Sequence, residues 1–433
     1  MYAESTPRGH GGISVIRISG AHTLDVITRI TSQAVSDPHR QYLALIRDNR
    51  GGIVDQAMIV LHPCPNSYTG EDLAEISCHG NPLVVDRILD LIAASGLARL
   101  AHKGEFTRRA FLNGKLDLMQ AEAVGALIGS SSAAGCDLAR SLLQGGLSGQ
   151  IHALREGITG ILADIEASFI TEDPGPGGTA IQERILPLAA SIDSLLQDAE
   201  DSSRIYKGIV TTIAGLPNVG KSSLFNAIIG YDRAIVHHEE GTTRDVLREH
   251  LRLDGIDFIF HDTAGIRETS SGPERLGVEK TLQALQASDL LLYVVDAREG
   301  VRPHERLWLN LSDRTIVVMN KTDLITGSIT PDPHHPSVPV SAKLGKGIDG
   351  LVSAMSRSFL HGRNPVFLDR HAYLLRQASA SLESCMNAIE GGLTPDALAI
   401  DLRQAAGCLS QMTGESLDED ILEDIFSRFC IGK

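Results

Sequence analysis

Gly215-Leu216-Pro217-Asn218-Val219-Gly220-Lys221-Ser222 has the form G-x-x-x-x-G-K-S. The apolar, β-branched run Ile209–Ala214 precedes it and the helix-like run Ser223–Ile229 follows. That strand–loop–helix setting is the one in which such a loop cradles phosphate. Glycines let the backbone curl until successive N–H groups point inward at phosphate oxygens, and the helix N-terminus adds its positive end. Asn218, Val219, Gly220, Lys221, Ser222 and Ser223 then form the phosphate cradle. Lys221 reaches the β- and γ-phosphates, and the Ser222 hydroxyl is offered to Mg2+. By itself this loop says only "nucleotide".

The residues downstream select the base. Gly241-Thr242-Thr243-Arg244-Asp245 reads as a loop, with Thr242 and Thr243 in the nucleotide site and Thr243 completing the Mg2+ shell once a γ-phosphate is present. Asp262-Thr263-Ala264-Gly265 closes the strand Ile256–His261. Its Asp can hold the metal through water, and Gly265 lets a backbone N–H approach the γ-phosphate. Asn320-Lys321-Thr322-Asp323 ends the apolar strand Thr315–Met319. The Asp323 carboxylate only accepts hydrogen bonds, so it suits the N1–H and N2–H2 donors of guanine and leaves adenine unmatched. Ser341-Ala342-Lys343 follows the short strand Ser337–Val340 and offers a backbone N–H to guanine O6. Five such pieces in order, each at a strand's C-terminal end, sit where ligands bind in open α/β sheets. They predict a Ras-like P-loop GTPase domain that binds GTP and Mg2+.

Ile266 follows Asp-Thr-Ala-Gly, where Ras-like GTPases carry the glutamine that orients the attacking water. An isoleucine cannot do this, so hydrolysis needs help from elsewhere. Glu268, Glu274 and Glu279 are the nearby carboxylates. Spacing alone favours reading them as solvated charges opening a helix at Pro273.

The 433 residues allow two to four domains. With 39 Lys+Arg against 54 Asp+Glu the net charge is −15, which argues against a broad basic nucleic-acid surface. Six cysteines (64, 78, 136, 385, 408, 430) include no C-x-x-C pair and read as reduced, cytosolic thiols. No signal peptide or membrane-spanning run is visible, so the expected location is the cytoplasm.

Residues 1–115 read as β-rich, with strands at Ile13–Ile18, Gln41–Ile46, Ile53–Leu61 and Leu73–Cys78. Residues 116–206 and 365–433 read as helical, from apolar spacings of three and four such as Leu402-Ala405-Leu409. The expected architecture is multidomain, α/β and α+β: a β-rich N-terminal domain (1–115), a discontinuous helical domain (116–206 and 365–433), and a GTPase domain (207–364) inserted into it. The Gly/Pro-rich stretch from Glu172 to Thr179 connects two helices.

With its flanks included, the chain resembles the MnmE (TrmE) family of tRNA wobble-uridine modification GTPases along nearly its whole length. The matches are Gly11-Gly-Ile-Ser-Val-Ile-Arg-Ile-Ser-Gly20, Tyr68-Thr-Gly-Glu-Asp72, Cys78-His-Gly80 and Gly104-Glu-Phe-Thr-Arg-Arg-Ala110. Asn113-Gly-Lys-Leu-Asp-Leu-Met-Gln-Ala-Glu-Ala123 and the terminal Phe429-Cys-Ile-Gly-Lys433 complete the set. A ribosome-assembly GTPase of the Era or EngA kind, the alternative reading as a GTP-switched binding module without one-carbon chemistry, shares the central motifs but not these flanks.

The resemblance implies an N-terminal domain that forms a homodimer and binds a tetrahydrofolate derivative, in a 5-formyl or methylene form. Its folate contacts fall on Arg17, Glu75, Lys115 and the terminal Lys433. Cys430 is tied to the modification reaction, as nucleophile, proton donor or structural contact. The resemblance also answers Ile266: GTPase domains pair in a K+-dependent way, the ion taking the electrostatic role of an arginine finger. Asn218 then supplies a side-chain oxygen to K+, His237, Glu239 and Thr242 complete the ion site from the loop, and Glu274 helps position water. The loop His237-His238-Glu239-Glu240 is more charged than the family's usual run, and family chains usually begin a few residues before Met1. The implied reaction joins an aminomethyl or carboxymethylaminomethyl group to C5 of the tRNA wobble uridine. It uses glycine or ammonium and an FAD-dependent partner, MnmG (GidA), in a heterotetramer.

Overall fold

The computed structural model describes the chain apart from residues 32–34, 36, 131, 172–176, 232–234, 238–247, 262–287, 313, 360–367 and 418. The chain divides into two compact units. One comprises residues 1–128, 142–156 and 406–433; the other comprises 129–141 and 157–405.

The first unit is built on a five-stranded antiparallel sheet of order β1-β2-β5-β4-β3. Its strands are β1 (Tyr2–Glu4), β2 (Ile13–Ser19), β3 (Gln41–Arg47), β4 (Ile53–His62) and β5 (Leu73–His79). Four lie within two residues of the strands read from alternation. The fifth, β1, is too short to show a period. Alternation sends Ile16, Ile18, Ala44, Ile46, Ala57, Ile59, Ala74 and Ile76 to one face, where they are buried with α1 (Thr23–Ile30) and α2 (Pro82–Ala94). Helix α2 begins as its sequence dictates: Asn81 Oδ1 accepts the Leu83 N–H, and Pro82 takes the first turn, where no N–H is needed. Both helices fall within a stretch whose sequence reads as β-rich.

The C-terminal segment is stitched into this unit. Cys430 O accepts from Gly104 N, Lys433 O accepts from Phe106 N at 3.1 Å, and Gly432 O accepts from Ser5 Oγ at 3.0 Å. Gly432 lies at φ +91°, and a Cβ there would stand 2.2 Å from Glu4 O. Phe429 packs on Phe426 beside Phe111. Helices α3 (Glu105–Leu112) and α4 (Leu118–Gly129) complete the seat.

The second unit carries a seven-stranded sheet of order β12-β11-β10-β6-β9-β8-β7. Strands β6 (Ile209–Ala214), β9 (Ile256–His261), β10 (Leu290–Asp296), β11 (Thr315–Asn320) and β12 (Ser337–Pro339) run parallel. Strand β8 (Arg248–Leu253) pairs antiparallel with β9, and β7 (Ile235–His237) pairs antiparallel with β8 at the edge. Every residue of β10 and β11 is buried, as expected of parallel strands covered on both faces. Asp254 and Gly255, both at positive φ, turn β8 into β9. Helices α5 (Ala133–Leu143), α6 (Gly146–Thr171) and α7 (Gly178–Lys207) precede the sheet in sequence, and α8 (Lys221–Ile229) follows β6. Helix α7 leads into β6 and packs along the helix Asp369–Glu390, with Ser379 donating to Asp193 at 2.8 Å and Lys207 to Asp369 at 2.7 Å. No described helix is long and apolar enough to cross a membrane.

Candidate functional site

The phosphate loop joins β6 to α8 through three residues at positive φ: Gly215 (145°), Asn218 (63°) and Gly220 (98°). The two glycines are demanded by close approach as well as by conformation. A Cβ at Gly215 would lie 2.2 Å from Val294 O, and one at Gly220 would lie 2.3 Å from Asn320 Nδ2. Val219 is buried in the sheet's core and pins the loop from beneath. Ser222 and Ser223 stand in the first turn of α8, where the positive end of the helix favours an anion. Lys221 Nζ donates to the carbonyls of Gly215 at 3.0 Å and Leu216 at 2.9 Å, and burial lowers its pKa.

Two neighbouring loops lock onto this one. Asn320 Nδ2 donates to Val219 O at 2.9 Å, while its Oδ1 accepts the Ala342 N–H at 3.0 Å. Asn320 therefore braces the phosphate loop against the Ser341-Ala342-Lys343 loop, a duty its place in a base-recognition motif does not reveal. Lys321, at φ 65°, donates to Asn218 O at 2.7 Å and to Asp296 Oδ2 at 3.0 Å. The Ser341 hydroxyl donates to Asp323 Oδ1 at 2.6 Å. That bond, aided by Lys343 and Lys346, holds the Asp323 carboxyl below its ordinary value. It stays an ionised acceptor, the form that pairs with the N–H edge of guanine.

Glu239, Thr242, Thr243, Asp262, Thr263, Ala264, Gly265, Ile266 and Glu274 lie outside the described residues, as does the side chain of His237. The γ-phosphate, water and K+ assignments made on them stand as sequence expectations. Asp296 is the site residue that sequence reading missed. It ends an apolar strand, as Asn320 does, and that is the available signal.

In the first unit the structure brings together three of the four residues assigned to folate. Arg17 and Glu75 face each other across β2 and β5, Nε to Oε1 at 2.8 Å, both only partly exposed. The Arg17 guanidinium lies over the Tyr68 ring, 5.6 Å from its centroid, and the Tyr68 hydroxyl bonds Thr107. Burial and the nearby Arg17 charge lower the Lys433 pKa, with Cys430 and Glu75 acting in the opposite sense, so all four groups share one electrostatic neighbourhood. Cys430 itself is exposed. Lys115 Nζ instead donates to Pro65 O at 3.1 Å, and its stem lines Gly70 in the loop that carries Tyr68. Tyr68 went unread as a site residue; so did His62, whose Nδ1 lies 3.0 Å from His39 Nδ1 and whose pKa burial lowers.

A family model described as the MnmE helical domain matches residues 118–430, and one described as the GTP-binding protein TrmE N-terminus matches residues 1–115. Among curated relatives, the tRNA modification GTPase MnmE of Synechococcus sp. (strain JA-2-3B'a(2-13)) is 42% identical over 98% of this chain and 95% of its own length. That of Moorella thermoacetica is 40% identical over 100% of this chain and 98% of its own. Among solved structures, Era of Aquifex aeolicus is 27% identical, covering 40% of this chain and 66% of that one with a TM-score of 0.28.

Proposed function

The chain belongs to the MnmE family of tRNA modification GTPases, so it is a GTP hydrolase acting in tRNA modification, and from that premise we propose the chemistry of its two sites. GTP is hydrolysed to GDP and phosphate in the second unit, in a K+-dependent way, while the first unit binds a tetrahydrofolate one-carbon carrier. With an FAD-dependent partner of the MnmG kind, the protein installs an aminomethyl or carboxymethylaminomethyl group on C5 of the tRNA wobble uridine. Hydrolysis switches pairing of the GTPase domains and so gates the modification rather than forming the new bond.

The observation that carries the one-carbon half is the Arg17–Glu75 pair across β2 and β5, with Lys433 and Cys430 in its electrostatic neighbourhood. The donor set fits folate: guanidinium and ammonium match its glutamate carboxylates, and the Glu75 carboxylate matches pterin N–H donors. When bound, folate supplies the carbon. Arg17, set by Glu75 and Tyr68, is the preorganised anchor; Lys433, with its lowered pKa, is held close by the docked tail. The sheet face that carries Arg17 and Glu75, turned away from α1 and α2, exposes Ile13 (67%) and Leu43 (54%), which supports homodimer formation through this sheet.

For the nucleotide half, Ser222 offers a hard hydroxyl oxygen suited to Mg2+, and the Asn218 side chain carries an amide oxygen suited to K+. Lys321 fixes Asn218 through its carbonyl. Hydrolysis measured in KCl and in NaCl at equal ionic strength, with Asn218→Ala alongside, tests the ion. Strong K+ stimulation that disappears in the variant supports the proposal, whereas equal rates in the two salts sink its K+ part. Arg17→Ala tests the folate half: it should abolish tRNA modification and keep GTP hydrolysis, and unchanged modification would overturn that half.

A further inference from the structure

We propose that Asp296 is a positioning residue of the nucleotide site, its carboxylate holding Lys321 so that the lysine clamps the phosphate loop at Asn218. The inference rests on reading this loop as the GTP site.

Asp296 ends β10, between β6 and β11, and its partner in register on β11 is Asn320. It is 7% exposed, yet its carboxylate is fully engaged. Oδ2 accepts from Lys321 Nζ at 3.0 Å and from Arg298 at 2.6 Å, while Oδ1 accepts from Arg298 Nε at 2.9 Å and the Arg298 N–H at 3.1 Å. A buried carboxylate so paired stays charged, and its carboxyl is held well below the usual range by Arg298 and Lys321. Lys321 has a backbone conformation unfavourable for a branched-Cβ or bulky residue, and its ammonium bridges the Asn218 carbonyl and the Asp296 carboxylate. Without the Asp296 anchor, a flexible four-carbon stem would lose its register on Asn218 O.

Two braces thus hold the loop side by side. Ala342–Asn320–Val219 is neutral, and Asp296–Lys321–Asn218 is charged. The neutral one survives loss of Asp296, so the fold of the loop should persist while the bound-ready population falls. Arg298 competes for the same carboxylate from a half-exposed position, its hydrogen bonds going to Asp296 rather than to the loop. Its loss leaves the carboxylate free to grip Lys321.

The test is binding and release of fluorescent N-methylanthraniloyl-GDP by the full-length protein, with unlabelled GTP and ITP as competitors. The variants are Asp296→Asn, Arg298→Ala, Lys321→Met and Asp296→Asn combined with Lys321→Met. Asp296→Asn should raise Kd roughly tenfold, mainly through faster release, because a competent state populated at about a tenth weakens binding by that factor. GTP and ITP should weaken equally, since Lys321 does not read the 2-amino group. Arg298→Ala should stay within about twofold, and Asp296→Asn should add nothing in the Lys321→Met background. A purely structural role would lower the melting temperature and the binding-competent fraction, leaving the Kd of that fraction unchanged. That outcome overturns the proposal, as would an Arg298→Ala effect equal to that of Asp296→Asn, or an added effect in the double variant. Lys221→Ala separates the two levels. If it abolishes binding while Asp296→Asn does nothing, this proposal alone falls; if it leaves binding intact, the site reading falls with it.

Discussion

Glu105→Gln probes how the docked C-terminal segment is supported. Glu105 opens α3 with its side chain 8% exposed, between Arg99 (2.7 and 2.8 Å) and Arg109 (2.8 Å), and it also accepts the His102 N–H at 2.8 Å. Arg109 continues the network to Glu71, which accepts from Ser19. Burial on its own pushes the carboxyl up. The Arg99 bond, the His102 amide and Arg109 outweigh it and bring the carboxyl from 4.5 down to about 2. At about 1.4 kcal/mol per pH unit this amounts to roughly 3 kcal/mol, trimmed to about 2–3 kcal/mol because Arg99 is 56% exposed and screened. Because the folded value is depressed, this stability is fully present above pH 4.5 and is lost as pH falls from there towards 2.

Glutamine keeps the shape and the oxygen for His102 N–H but leaves two guanidiniums without their shared charge. Calorimetry at pH 7 should show the transition of this unit lowered by several degrees, at about 2–4 °C per kcal/mol. The gap between wild type and variant should hold down to about pH 5 and be about 40% smaller at pH 3.5. A gap below about 0.5 kcal/mol at pH 7, or one that does not change between pH 7 and 3.5, would refute the assignment. Since Phe106 N holds Lys433 O and Gly104 N holds Cys430 O, the variant should also speed alkylation of Cys430.

The remaining expectations concern the two sites directly. Asp323→Asn should weaken GTP binding by about three orders of magnitude, because an amide N–H2 then faces guanine donors, and should favour xanthosine triphosphate; competition binding with both nucleotides measures it. Gly432→Ala forces a Cβ to within 2.2 Å of Glu4 O at φ +91°, so tRNA modification should fail while GTP hydrolysis by the same preparation continues. Cys78 is buried with its thiol pushed up to about 11, so at pH 8 a thiol reagent should label exposed Cys64 and Cys430 and leave Cys78 intact until the protein unfolds, as peptide mass mapping would show.

What could be read from the residues was local. β6, its loop and α8 announce themselves because an apolar strand, a glycine loop and a helix follow one another within the span Ile209–Ile229. Helix α2 was concealed by its own composition: Val84, Val85, Ile88 and Ile92 are β-branched, and their spacing of three and four was outweighed by strand-like residue types, despite the Asn81-Pro82 start signal. β1 has three residues and gains its identity only from pairing with β2. The seat of Gly432 on Glu4 joins opposite ends of the chain, and no window along the sequence contains both.

Asp296 is hidden for a related reason. An aspartate after an apolar strand has no assigned duty until sheet order sets β10 beside β11 and brings it to Lys321. The same register gives Asn320 a second role, since it braces Val219 and Ala342 whatever it contributes to the base. A loss of binding on changing Asn320 would therefore mix base recognition with loop integrity. Asp323, exposed and held by a single serine hydroxyl, separates them, and base selectivity is better tested there.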